Sequence, residues 1–449
     1  MHACQRVGLL LVAGLAVQAA ATAADWPQFR GPGGTAATAE KELATEWAQG
    51  KNLLWKAEMP GPGASSPVIR GGRVYLTCYT GYGVSRDGSG AKSDLVRHLV
   101  CLDASTGKQI FSTEIKSNTP EANYSGQMTQ HGYASNTPAV DDERIYLFLG
   151  TAGVRAFDLK GNLLWQAETG RGTNMWGSAS SVVLEGDLVI VNAAIENNAV
   201  MAFERETGAK AWQFDIPGRS WSTPAVIHTA DAAELVVSVE GYVLGIDAKT
   251  GKERWSCEGI ADYTCPAVVP GQGVAYVCGG RRSQLLAVRA GALAADAGSR
   301  IIWQQRIGAN VTTPVLHRGH LFGVSDQGIA YCVEAETGKI VYQQRVGGEV
   351  RAAVRPAAFQ QPGQPRRRGG GGRGFGGGTQ FYSSAIGLGD AILAVSRRDG
   401  AFVIAAEPEY ALIAHNRLAD DDTNFDGTPA VADGKIYLRS NRALYCIGK

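Results

Sequence analysis

The sequence lacks the signatures of most familiar catalytic classes. It has no C-x-x-C or C-x-x-C-H pair, which leaves zinc-ribbon and c-type haem readings without support. No G-x-S-x-G, H-E-x-x-H or Walker-type phosphate loop occurs, so the corresponding hydrolase classes have no motif. An excess of charge is also missing. The 43 Lys and Arg residues balance 42 Asp and Glu, a net charge of +1, which gives no electrostatic reason to expect nucleic acid or an acidic partner. Long apolar runs are confined to the first two dozen residues.

That first stretch reads as an export signal over residues 1–24. Arg6 supplies the positive end, Val7 to Val17 the apolar core, and Ala21-Thr22-Ala23 or Thr22-Ala23-Ala24 the cleavage site. The core falls short of the roughly 20 residues that span a bilayer. Cys4 precedes the core, so lipidation is not expected. Removal of the signal leaves an odd number of cysteines: Cys78, Cys101, Cys257, Cys265, Cys278, Cys332 and Cys446. Cys101, Cys332 and Cys446 share one repeat position and read as small core residues. Cys78 with Cys101, or Cys265 with Cys278, could pair across neighbouring strands.

What the sequence has in quantity is glycine, 58 of 449 residues, and repetition. Gly241 to Trp255, GYVLGIDAKTGKERW, recurs along the chain in copies of varying quality. Each copy follows a Ser/Thr-rich step, usually written TPAV, whose proline or substitute falls at Pro67, Pro138, Ser181, Pro224, Pro266, Pro314, Ala385 and Pro429. Four short strands per repeat of forty-odd residues predict an all-β fold, an eight-bladed β-propeller of four-stranded antiparallel blades over 52–449. Seven blades is the alternative if the degraded seventh repeat is not a full blade. One aromatic per repeat, Phe111, Trp165, Trp212, Trp255, Trp303 and Tyr342, is expected to pack between blades, with the slot degrading to about Ile413 in the seventh. The eighth repeat stops at Lys449 before its aromatic strand. Lys51 to Trp55 echoes Gly161 to Trp165, so this N-terminal strand is expected to complete the last blade and close the ring. Residues 25–51 form an N-terminal extension that opens on DWPQFRGPGG, with Trp26 and Phe29 looking exposed.

The TPAV openings with A-x-D-x-x-T-G-K-x-x-W endings resemble the pyrroloquinoline-quinone-type propeller repeat over nearly all of residues 52–449. DWPQFRGP is similar to the start of secreted bacterial members of that superfamily. The resemblance implies two possibilities. Quinoprotein alcohol and glucose dehydrogenases use such a ring to hold the quinone and calcium, whereas the outer-membrane-assembly lipoprotein uses it as a scaffold for protein partners. The vicinal Cys-Cys that many of those alcohol dehydrogenases carry is absent here, and the chain is shorter than they are.

Function is expected where the repeats differ, in the residues just ahead of each inner strand. These are His131 and Tyr133, Asn174 and Trp176, Arg219 and Trp221, Asp262 and Tyr263, Asn310, Phe381 and Tyr382, and Asn424, Phe425 and Asp426. An aromatic with a polar group from most blades composes either a ligand or peptide pocket or a plug that holds water. Calcium would need Asp262 and Asp426 with the amides of Asn174, Asn310 and Asn424. Asp420 to Gly427 alternates oxygen ligands like a calcium loop but lacks the glycine and glutamate an EF-hand requires, and reads as a solvated turn. Two insertions depart from the period. One comprises Thr80 to Arg97 and Lys116 to His131, with Tyr124 and Met128; long excursions of this kind are where binding specificity usually resides. The other, 361–378, is Gly/Arg-rich and expected to be disordered. The sequence thus predicts a periplasmic or secreted, monomeric, non-enzymatic binding or scaffold module with a protein or peptide partner in the cell envelope and no cofactor. A quinone- and calcium-dependent dehydrogenase is the alternative.

Overall fold

The computed structural model describes residues 25–84, 90–116, 119–292, 298–307, 309–347 and 380–449. The expected export signal and the Gly/Arg-rich insertion lie outside these residues. Within them, eight sheets form eight blades, and all but the last run in chain order from an inner to an outer strand. Blade 1, for example, comprises Val68–Arg70, Arg73–Thr80, Val96–Asp103 and Gln109–Lys116. In blade 8 the inner three strands are Ala430–Ala432, Lys435–Arg439 and Ala443–Ile447, and the outer strand is Leu53–Glu58, antiparallel to Ala443–Ile447. The ring closes where the echo of the aromatic strand predicts. No helix among the described residues is long and apolar enough to cross a membrane.

The repeated sentence is a device for joining blades. In blade 4 the Asp247 carboxylate accepts hydrogen bonds from the Thr250 N–H and hydroxyl, both at 2.8 Å, which shapes the turn. Gly251 then adopts φ +71°, and a Cβ there would lie 2.6 Å from the ring of Trp212 in blade 3. The Trp212 indole N–H donates to the Ala248 carbonyl of the same turn at 3.2 Å. Trp55, Trp165 and Trp303 make the equivalent bond to Ala104, Arg205 and Ala335 of their own next blades. Blade 5 has a longer connection in place of the turn. There Glu234, fully buried in blade 4, accepts the N–H groups of both Trp255 and Gly291 and the Nε of Arg254.

Opposite each aromatic sits a small or medium residue. Cys101 faces Phe111, Cys332 faces Tyr342 and Cys446 faces Trp55, as their shared repeat position suggests. All seven cysteines among the described residues are free thiols, so neither candidate disulfide forms. In blade 7 the register corrects the aromatic slot by one residue. Ala414 pairs with Val403, while Ile413 is the bulged residue and is exposed. The missing ring comes from elsewhere: Trp47 of the N-terminal extension is buried in the same apolar cluster as Val403, Ala414 and Leu438, and its N–H donates to Asn416 Oδ1 at 3.0 Å.

The inner strands are tied side to side by hydroxyls. The Ser66 N–H donates to Thr137 Oγ1, Thr137 to Ser181 Oγ, and Ser181 to Thr223 Oγ1. Further round, Ala267 donates to Thr313, Thr313 to Ser384, Ser384 to Thr428, and Thr428 back to Ser66. The single missing link falls at Ala267, which has no hydroxyl; there the Val268 N–H bonds the Thr223 carbonyl. This ring also corrects the repeat frame. Ser181 occupies the threonine slot, not the proline slot, and the slot in blade 5 is Ala267, one residue after Pro266.

The extension does not hang free. Trp26 is 2% exposed and exchanges two backbone hydrogen bonds with Ile69 of blade 1. The Val140 N–H of blade 2 donates to the Pro27 carbonyl, Arg30 Nη2 reaches the Pro314 carbonyl of blade 6, and Ala37–Thr38 adds a parallel fifth strand to blade 7. The segment therefore straps one end of the channel, and Phe29 is half-buried at its centre. Trp47→Ala is expected to cost about 3–5 kcal/mol, the usual figure for an excised core aromatic. Chemical denaturation would measure it, and a loss below about 1 kcal/mol would show that Trp47 is not the missing seam residue.

Candidate functional site at the channel mouth

Side chains alternate along each segment that leads into an inner strand, as they do along a strand. Counting back from the hydroxyl ring, the residues two positions earlier face the channel: Trp221, Tyr382 and Asp426, with Ser135, Cys265 and Val311 from other blades. Together with the ring itself they enclose a cavity of about 160 Å³, floored by Phe29 from the strap. His131, Gln130 and Trp176 reach it from the rim.

Parity also explains which expected residues do not arrive. Phe381 and Phe425 sit three positions before the ring, so they turn into the blades, where both are buried. Tyr133 packs with Tyr79, Tyr82 and Tyr124 under the first insertion, and its hydroxyl donates to the Ala122 carbonyl. Arg219 is exposed and paired with Glu240. Asp262 accepts the Arg281 N–H, and Asn424 accepts from Arg398. Asn174 caps its own turn by accepting the Trp176 N–H. Tyr263 and Asn310 stand at the rim, where Asn310 Nδ2 donates to the Tyr263 hydroxyl at 2.8 Å.

Two groups organise the mouth. His131 Nε2 lies 2.8 Å from the Trp176 carbonyl, which can only accept, so that nitrogen carries the proton and Nδ1 accepts the Ser135 hydroxyl at 2.6 Å. Burial holds the imidazole below its usual pKa and keeps it neutral. Arg397 grips Asp426 through Nε at 2.6 Å and Nη2 at 3.0 Å, and donates to the Gln130 side chain and carbonyl at 2.8 and 2.7 Å. Its guanidinium lies 4.1 Å over the Tyr382 ring. Burial works against this charge, but the Asp426 carboxylate more than compensates and raises the pKa above the ordinary arginine value. Arg397 thereby bolts the first insertion of blade 1 to blade 8. The Gly126–Gln130 turn of that insertion is thereby held against the ring. The rim beside it is aromatic: Trp176 stacks on Tyr263 at 5.9 Å and meets Trp221 edge-on at 6.4 Å, next to the 67% exposed Met175.

The donor set does not suit calcium. Both oxygens of Asp426 are taken by Arg397, and Asp262 is held by the Arg281 backbone. The aspartates of 420–426 also diverge. Asp421 is buried, not solvated, and accepts from Thr423, Ser440 and Tyr445, whereas Asp422 pairs with Arg442. Among the described residues no cluster of three His, Cys, Asp or Glu side chains could hold a metal.

A family model described as outer membrane protein assembly factor BamB matches residues 80–197, 196–288 and 286–362, more than half of the chain. The chain belongs to this family of PQQ-like propellers. It is 25% identical over 218 residues to the BamB of Yersinia pestis, covering 43% of this chain and 52% of that protein. It is 23% identical over 238 residues to the BamB of Moranella endobia, covering 48% and 58%. The match thus spans little more than half the length of these relatives. Among solved structures, BamB from Moraxella catarrhalis superposes with a TM-score of 0.55 at 10% identity, covering 88% of this chain and 99% of that one. Quinohemoprotein alcohol dehydrogenase from Comamonas testosteroni gives 0.60 at 11% identity, covering 96% and 82%. At such identities the likeness is one of fold alone, shared by a BamB and a dehydrogenase.

Behind the Trp176 loop lies Glu196, on the short helix Ala194–Asn197 of blade 3. It is 5% exposed, its Oε2 has no partner, and burial raises its pKa to about 7. The folded value exceeds the unfolded value of 4.5. The neutral acid's contribution to stability is therefore fully present below about 4.5 and lost as pH rises through about 7. Glu196→Gln stays neutral throughout. It is expected to stabilise the protein by on the order of 2–3 kcal/mol at about pH 8 and to have little effect at about pH 4. Thermal melts across that range would show it, and equal shifts at both ends would contradict it.

Proposed function

We propose that this protein is an exported binding module of the cell envelope, without catalysis of its own, that engages a protein or peptide partner of outer-membrane protein assembly at the aromatic mouth of its channel. One observation carries the reading. The rim turns rings and a methionine outward, Trp176 stacked on Tyr263 beside the exposed Met175, while the charges of Asp426 and Arg397 are spent on each other. Recognition of a chain needs apolar contact area on a rigid rim. The family match to an assembly factor supports a partner of that kind, and the reading of residues 1–24 as an export signal supports the compartment.

A photo-crosslinking amino acid placed at Met175 in cells, with Leu164 on an outer strand as the control position, tests the proposal. Mass spectrometry of the Met175 adducts is expected to identify outer-membrane proteins or their assembly partners. Adducts at Leu164 alone, or none at either position, would count against it.

A further inference from the structure

We infer that the channel is a cup that receives a single apolar side chain of the partner, aromatic or of leucine size. This rests on the binding reading above and adds the chemistry of what enters the site. The cavity of about 160 Å³ is too small for a quinone-sized or drug-sized ligand, whose sites run to about 300 Å³ and above. It is close to the roughly 150 Å³ apolar cavity that stays dry and accepts benzene.

The wall suits such a guest. Ala64, Ala179, Ala267 and Val311 contribute hydrocarbon. Burial pushes the Cys265 thiol up to about 12, so it lines the cup as a neutral, weakly polar group. The Ser and Thr oxygens of the ring already accept an N–H from the blade beside them. A charged guest would lose its water and find no free counter-charge, because Asp426 and Arg397 neutralise each other. An apolar guest loses nothing of that kind and gains about 0.8 kcal/mol per buried CH₂.

The protein also shows the principle from within. Its own Phe29 lines both this cavity and the groove of about 400 Å³ on the opposite face, so one aromatic side chain already seals the channel from the strapped end. The open end has the same wall, with Trp176 and Tyr382 flanking the way in.

The test uses small probes of side-chain size on the mature full-length protein. Indole and bromobenzene are expected to bind, read by calorimetry, with the bromine anomalous scattering of bromobenzene centred in the cup of soaked crystals. Ala179→Leu and, independently, Ala64→Leu fill the cup and are expected to weaken indole binding about tenfold or more, about 1.4 kcal/mol, without lowering the melting temperature. Should either variant fold poorly, the bromine position in the wild-type protein decides alone. Bromine elsewhere, or ordered waters retained in the cup, overturns the inference. The crosslink at Met175 separates this failure from failure of the binding reading. Undiminished adducts in a folded Ala179→Leu variant overturn the cup and leave the partner site standing. If no adducts form even with the wild-type cup, the partner reading fails, and the cup as a site for that partner fails with it.

Discussion

Seven hydroxyl oxygens around the channel wall bridge all but one of the junctions between blades, and the rest of the molecule is built outward from them. Every link pairs a buried N–H with a Ser or Thr of the neighbouring blade, at 2.9–3.2 Å. Each is a neutral bond with a net worth of about 1 kcal/mol, but an unmade one would leave a buried donor unsatisfied at greater cost. The links run from Ala267 through Thr428 and Ser66 to Thr223, and the backbone bond from the Val268 N–H to the Thr223 carbonyl spans the remaining junction. The mouth residues precede these links by two to six positions and inherit their rigidity.

The outer half of the ring is held differently. There the tryptophan of one blade packs on the turn glycine of the next and donates to an alanine carbonyl of the same turn, so the repeated stretch Gly241 to Trp255 specifies assembly. Where the pattern fails, another part of the chain fills in. Glu234 takes up two N–H groups where blade 5 lacks the turn, and Trp47 fills the seam where blade 7 lacks the ring. The N-terminal segment thus has three duties: outer strand of blade 8, seam filler for blade 7, and strap beneath the channel.

The fold was legible because a period of forty-odd residues survives substitution. Blade count, the closing strand and the role of the aromatic slot all follow from spacing. The site was legible only in part. Trp176, Trp221, Tyr382, Asp426 and His131 do meet at the cavity, whereas Phe381 and Phe425 differ from their neighbours Tyr382 and Asp426 only by parity. Counting in twos from the hydroxyl slot would have separated them and would also have found Ser135, Cys265 and the wall alanines. Arg397 carries no such signal. It belongs to a hairpin of blade 7, and its meeting with Gln130 of blade 1 depends on ring closure that no local pattern encodes. Trp26 looked exposed because its burial comes from a bridge to Ile69, forty-three residues away in the sequence.

If the hydroxyl ring is the constraint on which the mouth depends, the amides that it binds should open only when the whole propeller unfolds. Native-state hydrogen exchange of the Ser66, Thr137, Ser384 and Thr428 amides measures this directly. The account predicts exchange free energies for these four that match global unfolding and equal those of core-strand amides such as Leu99 and Val191. Faster exchange at the ring than in those strands would show that the blades separate locally at the channel, and the rigid mouth would then have no foundation.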